Sequence, residues 1–386
     1  MSEWKECKIA DAPFEIIDGD RGTNYPKQDQ FNQTGYCLFL NAKNVTTNGF
    51  AFNECYFISK EKDKILRKGK LQRNDIILTT RGTVGNIGFF NERIPYDTMR
   101  INSGMVIIRS DPKGILPEYT HQLFKYLKGD FDVYATGSAQ PQLPIRDLKE
   151  ISFLLPPLPE QRAIANVLSS LDDKIDLLHR QNKTLEGMAE ALWWKMFVED
   201  TKNLKIVNLG EIIEIHDSKR IPLSSMQREK MKDGVLYPYY GAATVMDHIN
   251  QYIFDGEYLL LGEDGTVETN DGYPVLQLAT GKFWVNNHTH VLRAKKPFSN
   301  FLLYIILRNT NITHIVTGAV QPKINQENLK SLEISSARDI TVNELSVVAD
   351  NFWQKIQANN FQIRTLSRLR DTLLPKLMSG EVRVKT

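Results

Sequence analysis

The sequence predicts an α+β chain in which one unit is written twice. Each unit is a mixed α/β globular domain followed by a long helix, and the two helices pair as an antiparallel coiled coil. Three observations carry this. Residues 155–197 place apolar side chains at Ile164, Leu168, Leu171, Ile175, Leu178, Leu185, Ala189, Leu192 and Met196, in alternating steps of four and three. That is a coiled-coil seam rather than the wider face of a globular helix. The pattern returns over 342–378, at Leu345, Val348, Phe352, Ile356, Ile363, Leu366, Leu369, Leu373 and Leu377, with a constant offset of 181. The repeat also begins before the helices: Thr136-Gly137-Ser138-Ala139-Gln140-Pro141 aligns with Thr317-Gly318-Ala319-Val320-Gln321-Pro322. An internal repeat of this length sets the architecture before any single motif is weighed.

The elements follow in order. Short apolar or β-branched runs at 36–40, 76–79, 87–90 and 105–108 predict strands. Residues 117–128 have helical spacing, with Gly129 as the expected C-cap. Pro156-Pro157-Leu158-Pro159 then stops the domain and opens the first long helix, where Glu160 suits the positive end of the helix dipole. A helix of about 38 residues spans roughly 57 Å. A polar linker at 199–203 leads to the second unit, with strands expected at 235–240, 258–261, 275–278 and 289–292 and a helix at 299–308 capped by Ser299. The second long helix closes the chain, with Pro375 expected to kink or end it near Leu374. The division is therefore 1–155, 156–198, 199–336 and 337–386.

Composition bounds the function classes. Of 386 residues, 41% are hydrophobic and 24% charged, which suits a globular protein with ample core. The net charge of +2 neither argues for nucleic acid nor excludes it, because a binding face can be local. Cys7, Cys37 and Cys55 form no C-x-x-C, so neither a zinc site nor a disulfide framework is supported. The N-terminal stretch lacks the apolar core of a signal peptide, and no apolar run is long enough for a membrane span, so the expectation is a cytoplasmic protein. No phosphate loop, dinucleotide fingerprint or adenine-methylation motif is present, so no cofactor is expected. His288-x-His290 would face one way on a strand but lacks a third ligand nearby, so no metal is expected.

Two antiparallel helices would hold two similar domains at opposite ends of a rod. At about 3.4 Å per base pair, roughly 57 Å caps the separation of two DNA sites near 17 base pairs. Asn182 and Asn359 interrupt the seam once in each helix and would fall within a turn of one another, so they are candidates for fixing register. Trp193 and Trp194 exceed what one seam needs. One is expected to pack on the adjoining domain and the other to face a partner.

The motif P-P-L-P-E-Q-x-x-I-A-x-x-L at 156–168 resembles the conserved region of Type I restriction-modification specificity subunits. The T-G-x-x-Q-P loops, and the segments Asn74–Leu78 with Arg81–Gly85 and Gly256–Leu260 with Asp264–Val267, are similar to parts of that family's target-recognition domains. The second copy departs from the pattern, since 337–342 read ARDITV. The resemblance implies a non-catalytic subunit with two target-recognition domains, each reading half of a split target in double-stranded DNA. It implies as partners two adenine-N6 methyltransferase subunits and, in the full complex, restriction and translocase subunits. A free-standing bipartite DNA-binding regulator and a helix-mediated adaptor are the alternatives.

Base readers need forked donors and acceptors on loops: Arg for guanine, Asn or Gln for adenine, and Lys for phosphate. In the first unit the candidates are Lys43, Asn44, Arg73, Arg81, Arg100, Asn102 and Gln140. In the second they are Lys219, Arg220, Tyr240, Asp264, His288 and Gln321. Arg81 beside Gly82 is foremost, because glycine lets the backbone approach while arginine reaches a base edge. Gln140 and Gln321, shared by both copies, suit phosphate contact or loop structure better than specificity.

Overall fold

A computed structural model describes residues 4–137, 141–199, 204–318 and 320–385. The chain forms two compact units, residues 1–176 with 364–386 and residues 177–363. Each long helix therefore contributes one part to each unit.

In the first unit a four-stranded antiparallel sheet runs in the order Phe14–Asp18, Met105–Ser110, Ile76–Thr79, Ile87–Phe89. Its central strands are apolar at nearly every position because both faces are covered. Successive side chains point to opposite faces. Ile76, Leu78, Val106 and Ile108 meet Tyr119, Leu123 and Phe124 of the helix Pro117–Tyr126, together with Ile164 and Leu168. Ile77, Ile107 and Met105 pack on the other side against Leu38, Phe90 and Met99. The helix does not stop at Gly129. A second helix, Lys128–Tyr134, starts two residues after the first ends and absorbs that glycine.

The second unit holds a six-stranded sheet, in the order Ile213–Ile215, Thr289–Ala294, Phe254–Gly262, Leu276–Val285, Tyr237–Tyr240, Val245–Ile249. Pairing is antiparallel except between Tyr237–Tyr240 and Leu276–Val285. Leu259, Leu261 and Leu292 face the helix Asn300–Arg308, whose first turn is capped by the Ser299 hydroxyl accepting from the Leu302 N–H at 3.2 Å. Trp193 is buried in this core, whereas Trp194 is 52% exposed.

In both units a two-stranded antiparallel ribbon feeds the long helix: Lys5–Lys8 with Ser152–Leu155, and Lys205–Asn208 with Glu333–Ser336. The helices themselves span Leu158–Trp194 and Asp339–Met378. Pro375 does not end the second one near Leu374: the helix runs on to Met378, and the Ser379 N–H donates to the Pro375 carbonyl at 2.9 Å. Within each unit the helical segments run antiparallel. Asp172 meets Arg370 at 3.1 Å in the first unit, and Asn182 meets Asn359 in the second. The seam differs from expectation at two positions. Val348 and Leu369 are exposed and Ala349, beside Val348, is buried, whereas Asn359 is buried in the seam where the pattern placed it.

The signature before the first long helix has a structural explanation. The Gln161 side chain accepts from the Leu116 N–H at 2.9 Å and donates to the carbonyls of Pro156 at 2.9 Å and Gly114 at 3.1 Å. Glu160 accepts from the Trp4 indole at 2.9 Å and from Arg383 at 2.8 Å. The second copy lacks this pair, and Ser346 makes an analogous tie there. Its hydroxyl donates to the Pro297 carbonyl at 2.8 Å and accepts from the Ser299 N–H at 3.1 Å.

Candidate nucleic-acid interface

The T-G-x-x-Q-P loops are parts of one interlock built twice. In the first unit the strand Ile76–Thr79 runs into a loop that glycine must turn, with Gly82 at φ +76°. The Gly82 N–H donates to the Pro141 carbonyl at 3.0 Å, and the Leu143 N–H to the Thr80 carbonyl at 2.9 Å. Arg81 and Thr136 both bridge to Gln142. A third loop joins when the Thr80 N–H donates to the Gly104 carbonyl at 2.8 Å.

The second unit repeats each bond. Gly265, at φ +79°, donates to the Pro322 carbonyl at 3.0 Å, and the Ile324 N–H donates to the Glu263 carbonyl at 2.8 Å. Asp264 and Thr317 both bridge to Lys323. The Glu263 N–H donates to the His288 carbonyl at 2.9 Å. Bond for bond, Asp264 stands where Arg81 stands, and His288 where Gly104 stands. The backbone is shared and the side chains are exchanged.

The side chains at this place differ in chemistry. Arg81 is half-buried, and its guanidinium has no hydrogen bond or ion pair among the described residues. Asn102, in the neighbouring loop, uses its carbonyl oxygen to accept from the Gly104 N–H at 2.9 Å, which leaves its amide N–H groups without a partner in that loop. In the second unit the exposed His288 ring points Nδ1 at the Asp264 carboxylate, 2.5 Å away. Asp264 therefore orients the ring and leaves Nε2 as the outward group. Lys219 and Gln321 are exposed, with no side-chain partner among the described residues.

Other candidates are committed elsewhere. Asn44 is buried; its amide N–H groups donate to the carbonyls of Ala51 and Glu54, and its side-chain oxygen accepts from the Asn41 N–H. Arg100 is buried against Asp63 and three backbone carbonyls. Arg73 lies over the Phe90 ring at 4.3 Å and donates to the carbonyls of Asn91 and Ile94 and to Asp97. Arg220 bridges Asp217 and Glu263 and donates to the Thr289 carbonyl. In all four the side-chain donors are engaged by neighbouring groups, which makes each a poorer candidate for base contact than Arg81. Lys43 is exposed but paired with Glu54 at 2.9 Å, and Tyr240 packs edge-on to Phe283. Gln140 lies outside the described residues. Lys323, which follows the second T-G-x-x-Q-P loop, is part of the interlock that sequence reasoning did not single out, and its ammonium lies 3.6 Å from the Glu263 carboxylate. Its position one residue after the motif's proline, matching Gln142, was the available signal.

Asp217, Glu263 and His290 bring ligand atoms within 4.8 Å of one another. The set is internally matched. His290 points Nδ1 at Asp217 (2.6 Å) and Nε2 at the Ile324 carbonyl (2.8 Å), so neither nitrogen has a lone pair facing a metal. Burial pushes the Asp217 carboxyl up, but His290, the Val291 N–H and Arg220 together hold it below the usual range. The geometry is that of a buried ion-pair network tying the strand that carries His290 to the loops around it.

The domain described as "Type I restriction modification DNA specificity domain" matches residues 1–187 and again 201–336. The Type I restriction enzyme MjaIX specificity subunit of Methanocaldococcus jannaschii is 26% identical over 391 residues, covering 88% of this chain and 87% of the relative. The putative MjaX specificity subunit of the same organism is 22% identical, covering 100% of this chain and 95% of the relative. The crystal structure of an S subunit from M. genitalium superposes with a TM-score of 0.64 at 16% identity, covering 97% of this chain and 96% of that one. With the domain matched twice and most of its length covered, this chain belongs to the family of Type I restriction-modification specificity subunits.

Proposed function

We propose that the chain is the non-catalytic DNA sequence-specificity subunit of a Type I restriction-modification complex, each unit reading one half of a bipartite target. One observation carries the reading: two copies of the same three-loop interlock present different chemistry at equivalent positions, Arg81 with Gly104 in one and Asp264 with His288 in the other. A shared scaffold with exchanged side chains is what reading two different half-sites requires. Arg81, Asn102, Lys219, His288 and Gln321 are the proposed contacts, with Asp264 orienting His288. Lys43 and Tyr240 stay as further candidates, Tyr240 through its carbonyl's bond to the Asn286 N–H beside His288. The long helices, each continuing from one unit into the other, set the gap between half-sites, and Asn182 with Asn359 fixes their register. The partners are duplex DNA, two adenine-N6 methyltransferase subunits and, where the complex restricts, translocating nuclease subunits. No helix among the described residues is long and apolar enough to cross a membrane, and the proposed place of action is the cytoplasm.

The test is a genome-wide map of N6-methyladenine with the gene intact and deleted. The reading expects one split motif, two short half-sites with a fixed gap, to lose methylation on deletion. A map that does not change while the cognate methyltransferase is expressed would contradict it.

A further inference from the structure

Residues 60–73, KEKDKILRKGKLQR, hold seven Lys or Arg against two acidic residues, a larger local excess than the +2 of the whole chain. A run of this kind is commonly a solvated face, but its arrangement here is specific. The helix Lys60–Ile65 is capped by Ser59 and followed by an irregular stretch to Gly69, which turns at φ +81°. The acid Asp63 points inward and is buried, accepting from Arg100 Nε at 2.6 Å and Lys70 Nζ at 2.5 Å. The Arg100 guanidinium also gathers the carbonyls of Asp63, Leu66 and Lys68, at 2.7, 3.0 and 2.6 Å. One buried arginine thus turns the segment's carbonyls and one of its two acids inward. Lys60, Lys64, Arg67 and Lys68 are left on the outside. Arg67 is 77% exposed, and its paired carboxylate, Asp20, is 3.8 Å away.

The segment also borders the interlock. The Ile101 N–H donates to the Gly69 carbonyl at 2.9 Å, and three residues later the Gly104 carbonyl accepts from the Thr80 N–H beside Arg81. A single short loop therefore joins the cationic stretch to Arg81, whose guanidinium has no partner among the described residues. In the second unit, by contrast, Arg228 and Lys232 are both drawn onto the single Asp247 carboxylate.

Resting on the specificity-subunit reading above, we propose that residues 60–70 form a phosphate clamp of the first unit, gripping the duplex backbone beside the base-reading Arg81. Arg100 is its positioning residue rather than a base reader. Continuity with the reading loop favours DNA over an acidic protein as the occupant. Phosphate contacts fix register and orientation without carrying sequence information, and each releases counterions, steepening the dependence of log K on log salt by about 0.9 per phosphate.

The experiment uses the full chain assembled with its methyltransferase, carrying Lys64→Gln, Arg67→Gln and Lys68→Gln together. Duplexes with the mapped target and a scrambled target are titrated by fluorescence anisotropy from low to physiological salt. The clamp predicts that affinity for both duplexes falls by a similar factor and that the salt slope shrinks by about 0.9 for each phosphate released from the clamp. Target preference and the thermal midpoint should be retained. Arg100→Lys, which keeps the charge but cannot gather three carbonyls, should reduce the same slope without altering target preference. Unchanged affinity and slope in the triple variant would overturn the clamp. So would intact DNA binding with a methyltransferase that no longer co-purifies, which would assign the face to a protein partner. A wild-type assembly that binds no duplex removes the DNA reading and the clamp together. A wild type and variant that bind alike remove the clamp alone.

Discussion

Asp264 Oδ1 lies 2.5 Å from Nδ1 of His288, on a loop pair whose backbone bonds reproduce those around Arg81 and Gly104. The dyad assigns unequal roles to its members. His288 presents the outward atom, and Asp264 fixes which way the ring faces. His288→Ala should weaken binding to the mapped target by about 1–3 kcal/mol, the scale of one good base contact. Asp264→Asn should have a smaller effect, because the amide still offers an oxygen to Nδ1–H but without the carboxylate's charge. Competition binding against duplexes altered in one half-site measures both. Equal losses would mean that Asp264 itself touches DNA.

Asn359 donates to Asn182 at 2.8 Å, and Asn182 donates to Asn360 at 2.8 Å, all inside a seam otherwise built largely of apolar side chains. Replacing Asn359 alone with Leu leaves the buried Asn182 oxygen without a donor and should lower stability by about 1–3 kcal/mol. Replacing Asn182 and Asn359 together should recover most of that loss while loosening the register. Thermal melting measures the first effect, and the gap of the methylated motif measures the second. Unchanged stability in the single variant would show that the amides do not depend on one another.

His121 stacks on Phe89 with ring centroids 5.1 Å apart, and burial, aided by Lys125, pushes its pKa down to about 3. An unfolded histidine titrates near about 6.5. A folded value below the unfolded one means that protonation favours the unfolded chain. Its contribution is therefore complete above about pH 6.5 and declines as pH falls toward about 3. The thermal midpoint should drop as the solution is taken from neutral pH into that acidic window, and His121→Gln should flatten that part of the curve. Equal slopes in both proteins would contradict the assignment.

The Gln161 side chain makes three hydrogen bonds to backbone around Leu116, Gly114 and Pro156. Gln161→Ala leaves those groups without partners and should cost about 1–3 kcal/mol. Ser346→Ala should cost less, since it removes one donor and one acceptor. Chemical denaturation of the full chain checks the order. The reverse order would mean that the second copy depends more on its single tie than the first does on its signature.

The sequence disclosed the repeat, both long helices and the strands at Ile76–Thr79, Met105–Ser110 and Thr289–Ala294, because apolar periodicity and turn residues report directly on burial. The two ribbon strands Lys5–Lys8 and Lys205–Asn208 were not legible, since four residues give a weak pattern and their partners lie more than a hundred residues away. The seam slips at Val348 and Leu369 have a similar origin. Ala349 fills a position that a hydrophobicity count passes over. Site residues were the least legible. Arg81 and Arg100 are both loop-flanked arginines in sequence, and only the fold shows that one has no side-chain partner among the described residues while the other is enclosed by Asp63 and three carbonyls. Equivalence between His288 and Gly104 rests on backbone bonds, and no residue identity announces it.

The central claim is that two copies of one scaffold read two half-sites independently. Methylome maps of strains carrying Arg81→Ala or His288→Ala test it most directly. The account predicts that Arg81→Ala relaxes or abolishes recognition in one half of the motif only, that His288→Ala affects the other half only, and that the gap stays the same in both. If both substitutions relax the same half, or if either changes the gap while both halves stay intact, the assignment of one half-site to each unit is wrong.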